Sequence, residues 1–431
     1  MTSEPRYSES GADPELDAEA CERWDGLLKE RLGKLAEAGE LIVAQTAEGA
    51  EYAYRPDELI VVHRPHHRSA RANQPRRFVD ELPGKVARLL EALRASGLEV
   101  QLDDRRDDQA HLGLSLLRFA RPLDLDAIAA AVPGDTQVGL NYVYRPTNHR
   151  FWGLPVPPQP TEPLEPPKGR DGKGVRIGVI DSGCWAGHEW WAGGGYDVGD
   201  RHGGPLAGSI DEELPFGAGG DDFPEAGHGT AVVGMVLQRA PLAAIRVART
   251  ALDHLIDDWD LPGLLDQLDV DIVNLSLGTA TRDGQPPAGL DSALRRLAAR
   301  RPPEAPVLVV AAAGNDQHST PEYPAADKRV IGVGSMEADK SPSPWSNHGG
   351  WVDAAALGSG VRTTFLEGRP ANVDADFAGY VRWSGTSFSA PTVTAALAAL
   401  MSQGASPLQA RFELVGKPGL PQVPTLGTLV D

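Results

Sequence analysis

The sequence predicts an α/β fold built on a parallel sheet, preceded by a small α+β domain. Residues 175–181 form a short run rich in β-branched residues, which is typical of a strand buried in a parallel sheet. Two apolar runs, 231–237 and 389–401, have the composition of helices that pack against such a sheet. Upstream, residues 51–145 alternate between strand and helix patterns. With 431 residues and 41% hydrophobic content, the chain has room for two or three domains.

Two polar residues at the ends of these runs are candidate catalytic residues. Asp181 ends the strand run, at the edge where open α/β sheets carry their ligands. Its alternative role is to cap the following turn, which aspartates often do. His228 stands between two glycines where the run 231–237 begins. We expect room around its ring and a poor fit to a core, with a helix cap as the alternative.

A third candidate, Ser387, stands at the mouth of the run 389–401, after Gly385 and Thr386. Pro391 falls in the first turn of this run, where the missing N–H of proline would be unpaired anyway. A serine held there has little freedom to turn away, and the helix dipole favours negative charge developing beside it. Alone, Gly-Thr-Ser is a commonplace turn or cap, so its prediction as a nucleophile depends on the other two residues.

Asp181, His228 and Ser387 follow one another in the chain order of the subtilisin version of the catalytic triad. With Asp-Ser-Gly, His-Gly-Thr and Gly-Thr-Ser around them, the chain resembles the subtilisin-like serine proteases, the subtilases. Two further stretches, Asn-Leu-Ser-Leu-Gly and Ala-Ala-Gly-Asn, are similar to that family's substrate-cleft blocks. They occupy residues 274–278 and 312–315. The resemblance implies a doubly wound, mostly parallel, subtilisin-like sheet with helices on both faces.

The resemblance also implies a role for each residue. Ser387 would attack the peptide carbonyl, and His228 would take its proton and pass it to the leaving amine. Asp181 would orient the imidazole, and Asn315 with the backbone N–H of Ser387 would bind the oxyanion. From the residues alone, Asn315 is equally a turn residue after Gly314. This chemistry requires no cofactor and no catalytic metal, and calcium as a structural ion is left open.

A strand pattern at residues 271–278 ends in a glycine and offers an edge for pairing with an extended peptide. For residues 271–275, an internal strand without ligand contacts is the alternative. The resemblance implies that two short segments line the first specificity pocket. They are Ser276, Leu277 and Gly278 on one wall, and Ala312, Ala313 and Gly314 on the other. The floor of the pocket is not identified, so the side-chain preference stays open.

Composition and motif searches exclude several other functions. The chain has no Gly-x-Ser-x-Gly elbow, no His-Glu-x-x-His helix and no phosphate loop. Lys and Arg number 41 against 60 Asp and Glu, and the net charge of −19 disfavours nucleic acid and anionic membranes as partners. This charge could favour basic substrates, although a solvated acidic surface is the simpler explanation. We predict a protein or peptide substrate, and leave a regulatory protein partner open.

The first part of the chain predicts a second domain. Its strands are expected at residues 59–62, 98–102, 112–119 and 136–144, and its helices at 79–95 and 123–132. This β-α-β-β-α-β order is ferredoxin-like and resembles the inhibitory propeptide of many subtilases. We expect the domain to act as an intramolecular chaperone and inhibitor, with the end of its last strand in the cleft. Residues 141–145 and 151–154 resemble the junction; a plain domain on an uncut spacer is the alternative.

The predicted domain plan has five parts. They are a helical segment at 1–50, the propeptide-like domain at 51–150, a Pro-rich linker at 151–167, the catalytic domain at 168–415 and a tail at 416–431. Between Asp181 and His228 lies a long loop with three tryptophans, which could rim the cleft. Acids at 211–213 and 221–222 in this loop could bind calcium, but their spacing predicts solvated acids instead.

Cysteine usage and the chain start predict a cytoplasmic location. Cys21 and Cys184 cannot form a disulfide framework, and no basic-then-apolar signal pattern opens the chain. For Cys184 a small, buried apolar role is expected. The leading function is a serine endopeptidase restrained by its N-terminal domain. One alternative is a dedicated peptide-maturation protease or transpeptidase, and another is an autoinhibited or inactive subtilase-fold binding module.

Overall fold

The computed structural model describes residue 26 and residues 30–63, 84–103, 112–146, 157–218, 225–250, 255–370 and 375–431. The N-terminal elements are β1 (Ile42–Gln45), β2 (Glu51–Val62), α1 (Gly84–Ala95), β3 (Val100–Leu102), β4 (Leu114–Phe119), α2 (Leu125–Ala131) and β5 (Gln137–Pro146). The strands pair antiparallel in the order β5-β2-β4-β3, and β1 pairs with the free end of β2. This is a β-α-β-β-α-β order with one strand added in front.

The added strand corrects the prediction of a helical segment over residues 1–50. Residues 30–37 of that segment are helical, whereas residues 1–25 and 27–29 lie outside the described residues. Ile42–Gln45 alternate between half-buried and exposed positions and pair with Glu51–Tyr54, so a strand satisfies their backbone better than a helix. Residues 79–83, at the start of the predicted helix 79–95, also lie outside the described part.

Among the described residues, nine strands form the central sheet of the second domain. In order across the sheet they are β18 (Gln422–Val423), β19 (Gly427–Leu429), β15 (Ala354–Leu357), β14 (Ile331–Met336), β13 (Leu308–Ala312), β11 (Ile272–Leu275), β7 (Arg176–Asp181), β9 (Ala244–Arg249) and β8 (Val198–Asp200). All neighbours are parallel except β18 and β19. The chain reverses its direction of winding between β7 and β11, so the carboxyl ends of these strands flank a crevice suited to ligands.

Helices cover both faces of this sheet. They are α3 (Glu189–Ala192), α4 (His228–Arg239), α5 (Leu261–Gln267), α6 (Ala288–Arg300), α7 (Thr386–Ser402) and α8 (Pro407–Arg411), followed by a π-helical turn, Phe412–Gly416. Val179 and Val310 pack with residues of α4 and α7 on one face. Their neighbours Ile180 and Ala311 pack with residues of α5 and α6 on the other. Because side chains alternate along a strand, this separation confirms the predicted doubly wound sheet with helices on both faces.

The predicted linker and tail are both part of folded structure. Residues 422–423 and 427–429 of the predicted tail extend the central sheet as β18 and β19. In the predicted linker, β6 (Gln159–Pro160) pairs with β17 (Phe377–Trp383), which also pairs with β16 (Val361–Gly368). The tail is therefore part of the catalytic domain rather than a separate segment, because its short strands find an open sheet edge to pair with.

Two short strands of the second domain pair with the first. They are β10 (Ile256–Asp257) and β12 (Leu277–Gly278), and β5 lies between them. Apolar residues of both domains share cores; Trp259, for example, packs with Ile60 and Leu114. No helix among the described residues combines the length and the apolar content that crossing a membrane demands.

Candidate active site

A carboxylate and an imidazole are paired at the carboxyl end of β7. Oδ1 of Asp181 accepts hydrogen bonds from the backbone N–H of Ser182, at 2.8 Å, and from Nδ1 of His228, at 2.7 Å. With the proton on Nδ1, Nε2 is left as the basic nitrogen of the ring. Nε2 is buried and has no hydrogen-bond partner among the residues that the structure describes. The pair therefore holds the imidazole ready to accept a proton at Nε2.

The ring of His228 is enclosed, and the expectation of room around it was wrong. It packs edge-on against Trp383, with ring centres 5.7 Å apart, and against Phe388 at 5.6 Å. The neighbouring glycine serves close backbone approach instead. A Cβ on Gly229 would lie 2.1 Å from the carbonyl oxygen of Gly183, so only glycine lets α4 approach the loop after β7 this closely.

Ser387 is the second residue of α7. The helix begins at Thr386, after an N-cap at Gly385, and not at residue 389 as the sequence suggested. Pro391 therefore lies beyond the first turn, where its missing N–H would otherwise bond to the carbonyl of Ser387. Ser276 replaces that donor, because its Oγ donates to the Ser387 carbonyl oxygen at 2.8 Å. This bond ties the nucleophile's backbone to the loop that follows β11.

Asn315 faces Ser387 from the end of β13. Its Oδ1 accepts hydrogen bonds from the backbone N–H of Thr386, at 3.0 Å, and from the Thr386 hydroxyl, at 2.9 Å. These two bonds fix the amide so that Nδ2 is the end turned away from Thr386. The left-handed turn conformation suggested as an alternative belongs to Gly314, with φ of 100°. The backbone N–H of Ser387 lies in the first turn of α7.

The predicted walls of the specificity pocket surround this centre. On one wall, Leu277 and Gly278 form β12, and the carbonyl oxygen of Ser276 lies 3.4 Å from the Ser387 hydroxyl. On the other, Ala312 ends β13 and Ala313 is wholly buried. Gly314 donates its backbone N–H to the Thr386 hydroxyl at 3.1 Å. The structure thus brings all six predicted wall residues to the strand ends beside Ser387.

The end of β5 lies along the cleft. Tyr144 pairs with Ile256 of β10, and Arg145 pairs with Gly278 of β12, both antiparallel. An extended segment flanked by two strands is the arrangement expected for a bound peptide. In this structure the chain's own residues 143–146 take that position, as the hypothesis about the N-terminal domain requires.

Buried acids of the second domain contact the N-terminal domain. Asp258 accepts hydrogen bonds from the Tyr144 hydroxyl at 2.7 Å and from the first N–H groups of α6. Burial raises the pKa of Asp258 to about 6, against the lowering effect of these donors. Asp257 forms an ion pair with Arg55 at 3.0 Å. Burial raises the pKa of Asp257 to about 7, although Arg55 lowers it.

The four predicted catalytic residues are shielded from solvent. His228 and Ser387 are wholly buried, and Asp181 and Asn315 are 4% and 5% exposed. A peptide could not reach Ser387 in this arrangement without displacing part of the structure. The centre is therefore closed, and in this state the Ser387 hydroxyl donates to the carbonyl of Ser276 while Nε2 of His228 has no partner among the described residues.

Several acids that the sequence left as solvated are buried. Asp211 forms an ion pair with Arg201 and also accepts the backbone N–H groups of Arg201 and Arg249. Glu213 accepts the backbone N–H of Gly227 at 2.8 Å, and burial raises its pKa to about 8. The solvated-acid prediction was wrong for both, while residues 221–222 lie outside the described part. Arg201 already supplies positive charge to Asp211, so this carboxylate is not available to hold calcium.

Two other expectations for the loop before His228 have clear outcomes. Trp190 and Trp191 pack around the buried ring of His188 and are themselves buried, so they do not rim the cleft. Burial lowers the pKa of His188 to about 4. Cys184 is fully buried, as expected for a small apolar residue, whereas Cys21 lies outside the described residues.

Sequence reasoning missed residues that hold or border the centre. Thr386 orients Asn315, and its place inside the Gly-Thr-Ser block was the available signal. Asp316, His318 and Glu322 bring their polar atoms within 4.8 Å of one another just after Asn315. No local pattern marks these three residues as a group, because a loop rather than a helix or strand brings them together.

Comparisons with known proteins show what this chain is similar to. The profile described as "Subtilase family" matches residues 172–413. Minor extracellular protease Epr of Bacillus subtilis (strain 168) is 30% identical over 251 residues, which are 54% of this chain and 33% of that protein. Thermitase of Thermoactinomyces vulgaris is 27% identical over 280 residues, covering 61% of this chain and 88% of that protein. Among solved structures, the S218A mutant of the protease domain of PatA superposes with a TM-score of 0.49 and 23% identity, over 61% of this chain and 94% of that one.

Proposed function

This chain belongs to the subtilase family, and from that membership we propose that it is a serine endopeptidase that hydrolyses peptide bonds through Asp181, His228 and Ser387. One observation carries the proposal. The Asp181–His228 hydrogen bond of 2.7 Å leaves Nε2 of His228 as the basic nitrogen, at the same sheet edge where Ser387 is the second residue of α7. A hydroxyl, a base and a carboxylate gathered in this way support acyl transfer.

The reaction begins when Oγ of Ser387 bonds to the carbonyl carbon of the scissile peptide and its proton moves to Nε2 of His228. The C–N bond then breaks, and His228 returns that proton to the leaving amine. Water repeats the two steps on the acyl-enzyme and releases the acid. In the closed structure the Ser387 hydroxyl lies 3.4 Å from the carbonyl oxygen of Ser276. This long bond must give way to one between the Ser387 hydroxyl and Nε2 of His228 when substrate binds, as catalytic hydrogen bonds often form fully only in the complex.

Asn315 and the backbone N–H of Ser387 are the proposed donors to the oxyanion. Thr386 fixes the orientation of the Asn315 amide through two hydrogen bonds, so its Nδ2 donor needs little reorganisation during the reaction. Such pre-orientation is worth about 10²–10³ in kcat for one donor. The positive end of the α7 dipole adds to the stabilisation at Ser387.

The substrate would bind as an extended strand between β10 and β12. Ser276, Leu277 and Gly278 would supply one wall, and Ala312 to Gly314 the other. The pairing of β5 with the same two strands supports this position, because backbone hydrogen bonding does not depend on side chains.

We also propose that the N-terminal domain restrains the enzyme. Residues 143–146 occupy the peptide position, and the Arg55–Asp257 and Tyr144–Asp258 contacts hold the domain in place. A substrate must displace β5 before it can pair with β12. The burial of Ser387 agrees with a centre that opens only when this domain is released.

Intact-mass spectrometry of the purified chain tests the restraint. We expect wild type to cut itself within a few residues after Pro146, and Ser387→Ala to remain full length. Peptide hydrolysis by wild type should rise as the cut N-terminal fragment is digested. A full-length wild-type chain with maximal activity on an added peptide would contradict the restraint while leaving the endopeptidase proposal intact.

Labelling with a fluorophosphonate tests the endopeptidase proposal itself. Wild type should be labelled on Ser387, and Ser387→Ala should not. Ser389→Ala is the matched control, since this serine lies two residues along α7 and donates to the carbonyl of Ala356. Unlabelled wild type that hydrolyses no peptide would favour the binding-module alternative.

We propose that the reaction needs no cofactor, so dialysis against EDTA should leave kcat/KM unchanged. One of the relatives, Minor extracellular protease Epr, is named as an extracellular protease. The cytoplasmic location is therefore a proposal that rests on cysteine usage, and cell fractionation tests it. A maturation protease or transpeptidase would form the same acyl-enzyme, and product analysis with a competing amine distinguishes it from a hydrolase.

A further inference from the structure

A cluster of two carboxylates and one imidazole lies beside the proposed oxyanion site. Asp316 directly follows Asn315, and His318 and Glu322 belong to the same loop. A Cβ built on Gly314 would lie 2.5 Å from Oε2 of Glu322, so this carboxylate touches the backbone of the pocket wall. We name Asp316, His318 and Glu322 the acidic cluster. It adjoins the residues that would hold the scissile carbonyl.

The Glu322 carboxylate is buried and interacts with His318 and Asp316 within the cluster, but one of its oxygens, Oε1, lacks a well-formed hydrogen bond among the described residues. Glu322 is 3% exposed, and its Oε1 lies 3.4 Å from Nε2 of His318. At that distance Oε1 accepts no hydrogen bond of good geometry from the residues that the structure describes. An under-satisfied carboxylate in a pocket wall is costly for the empty protein, and a donor from a ligand would remove that cost.

A basic side chain of the N-terminal domain already acts on this cluster. Arg145 pairs with Gly278 in the cleft. Burial and the charge of Glu322 raise the pKa of Asp316 to about 6, and the charge of Arg145 opposes that rise. Burial also raises the pKa of Glu322, but His318 and Arg145 together bring it below its usual value. The cluster is thus electrostatically coupled to a cation on the strand that lies where substrate would bind.

We propose that the acidic cluster is a substrate subsite that selects peptides with arginine or lysine at the residue whose carbonyl is attacked. The inference rests on the proposed endopeptidase function and names its substrate class. The carboxylates of Asp316 and Glu322 would accept hydrogen bonds from a guanidinium or ammonium group. Glycine at position 314 is what lets the Glu322 carboxylate lie against the backbone of the pocket wall, because a Cβ there would collide with Oε2 of Glu322 and Nδ2 of Asn347. Charge-assisted bonds in a dry pocket discriminate strongly against a neutral side chain.

The same three residues could also hold a divalent cation, and the position of the cluster decides between the two ligands. It borders the cleft beside Asn315 and feels the charge of Arg145, so a cationic peptide side chain reaches it during catalysis. A resident metal ion there would repel Arg145 and any basic substrate. The two occupants therefore make opposite predictions for substrate preference.

Matched peptides test the proposal on the full chain after self-processing. Two fluorogenic peptide amides are compared that differ only in arginine or citrulline before the scissile bond, because citrulline keeps the shape and loses the charge. We expect kcat/KM to be at least about thirtyfold higher for the arginine peptide. The ratio should fall about tenfold in Glu322→Gln and in Asp316→Asn, and approach one in the double variant.

Glu304→Gln is the charge control, since Glu304 is an exposed acid in the turn after α6. It should keep the wild-type ratio. Fluorophosphonate labelling of each variant shows whether its active site has folded. Equal rates for the arginine and citrulline peptides in labelled wild type would overturn the subsite and leave the endopeptidase standing. Zinc or calcium binding that Glu322→Gln abolishes, without an arginine preference, would also overturn it. No labelling and no hydrolysis at all would overturn both proposals.

Discussion

The catalytic centre and the interface with the N-terminal domain are both buried, but they are held in different ways. At the centre, Asp181 bonds to His228, Asn315 to Thr386 and Ser387 to Ser276, all within one domain. At the interface, Asp257 and Asp258 are buried against residues of the other domain, and their pKa values rise to about 7 and 6. We therefore expect the centre to keep its geometry without the N-terminal domain, whereas the interface depends on docking and on protonation.

This difference gives the two regions different roles: the centre carries out the chemical step, and the interface controls access to it. A centre that is tied within its own sheet can be complete before substrate arrives, which is the pre-organisation that catalysis requires. An interface that buries ionisable acids is less favourable when those acids are charged, so it can be released. Changes at the centre should therefore act on the chemical step, and changes at the interface on the opening of the cleft.

The largest expected effects come from breaking the centre. In self-processed protein, or in protein processed by added protease, Ser387→Ala should lower kcat by about 10⁶, because the nucleophile is lost. Asn315→Ala should lower kcat by about 10²–10³ through the loss of one oxyanion donor. Steady-state hydrolysis of a peptide amide measures both.

Thr386→Ala sharpens the same test. It removes the hydroxyl that donates to Asn315 at 2.9 Å but keeps the backbone donor at 3.0 Å. The decrease in kcat should therefore be smaller than that caused by Asn315→Ala. Thr386→Ser keeps the hydroxyl and should restore most of the rate. If Asn315→Ala retained full activity, the oxyanion role would be wrong even though the triad could stand.

The sequence predicted the centre better than it predicted the interface, for physical reasons. Asp181, His228 and Ser387 each stand at the end of a regular element, and the turns and glycines there leave a local pattern. The enclosure of His228 by Trp383 and Phe388 left no such pattern, because those contacts join distant segments. Periodicity along the chain cannot reveal them.

Short elements that form only by pairing with distant segments of the same chain were also hard to predict. Residues 42–45 and 427–429 are strands because open edges of β2 and β15 accept them, and short segments carry too little alternation to show this alone. The acidic cluster has the same origin, since one loop brings Asp316 next to Glu322. The order of the N-terminal elements, in contrast, was readable from their long apolar runs.

Raising the pH should open the interface, with an effect smaller than that of losing the nucleophile. An undocked aspartate has a pKa near its ordinary value of about 3.9, and docking raises that of Asp258 to about 6 and that of Asp257 to about 7. The docked state thus binds more protons between these values, so its stabilisation is complete below pH of about 4 and is lost as pH rises through 6 and 7.

Hydrogen exchange of the β5 amides, corrected for the intrinsic rate, measures this opening in uncut Ser387→Ala protein. We expect the opening equilibrium constant to increase about tenfold or more between pH 5.5 and pH 8. Asp257→Asn should flatten the profile, because the amide does not titrate. Asp269→Asn, which alters a largely exposed acid far from β5, should leave it unchanged. A flat profile in the parent protein would show that these acids do not control docking.

The smallest expected effect, and the one most specific to the interface, is that of Tyr144→Phe. The substitution keeps the ring and removes only the hydroxyl that donates to Asp258 at 2.7 Å, while Asp258 keeps the N–H donors of Gly289 and Leu290. Docking should weaken by about 1 kcal/mol, the usual net value of one hydrogen bond, which corresponds to about fivefold more opening of β5 by hydrogen exchange.

Tyr380→Phe is the matched control, because the Tyr380 hydroxyl donates to Glu189 within the catalytic domain. Equal β5 exchange in the two variants would mean that the Tyr144 hydroxyl does not hold the domain in place. If only Tyr144→Phe exchanges faster, fluorophosphonate labelling is then compared with and without this substitution in protein that keeps Ser387. A labelling rate raised in the same proportion as the exchange would link the opening of β5 to access to Ser387.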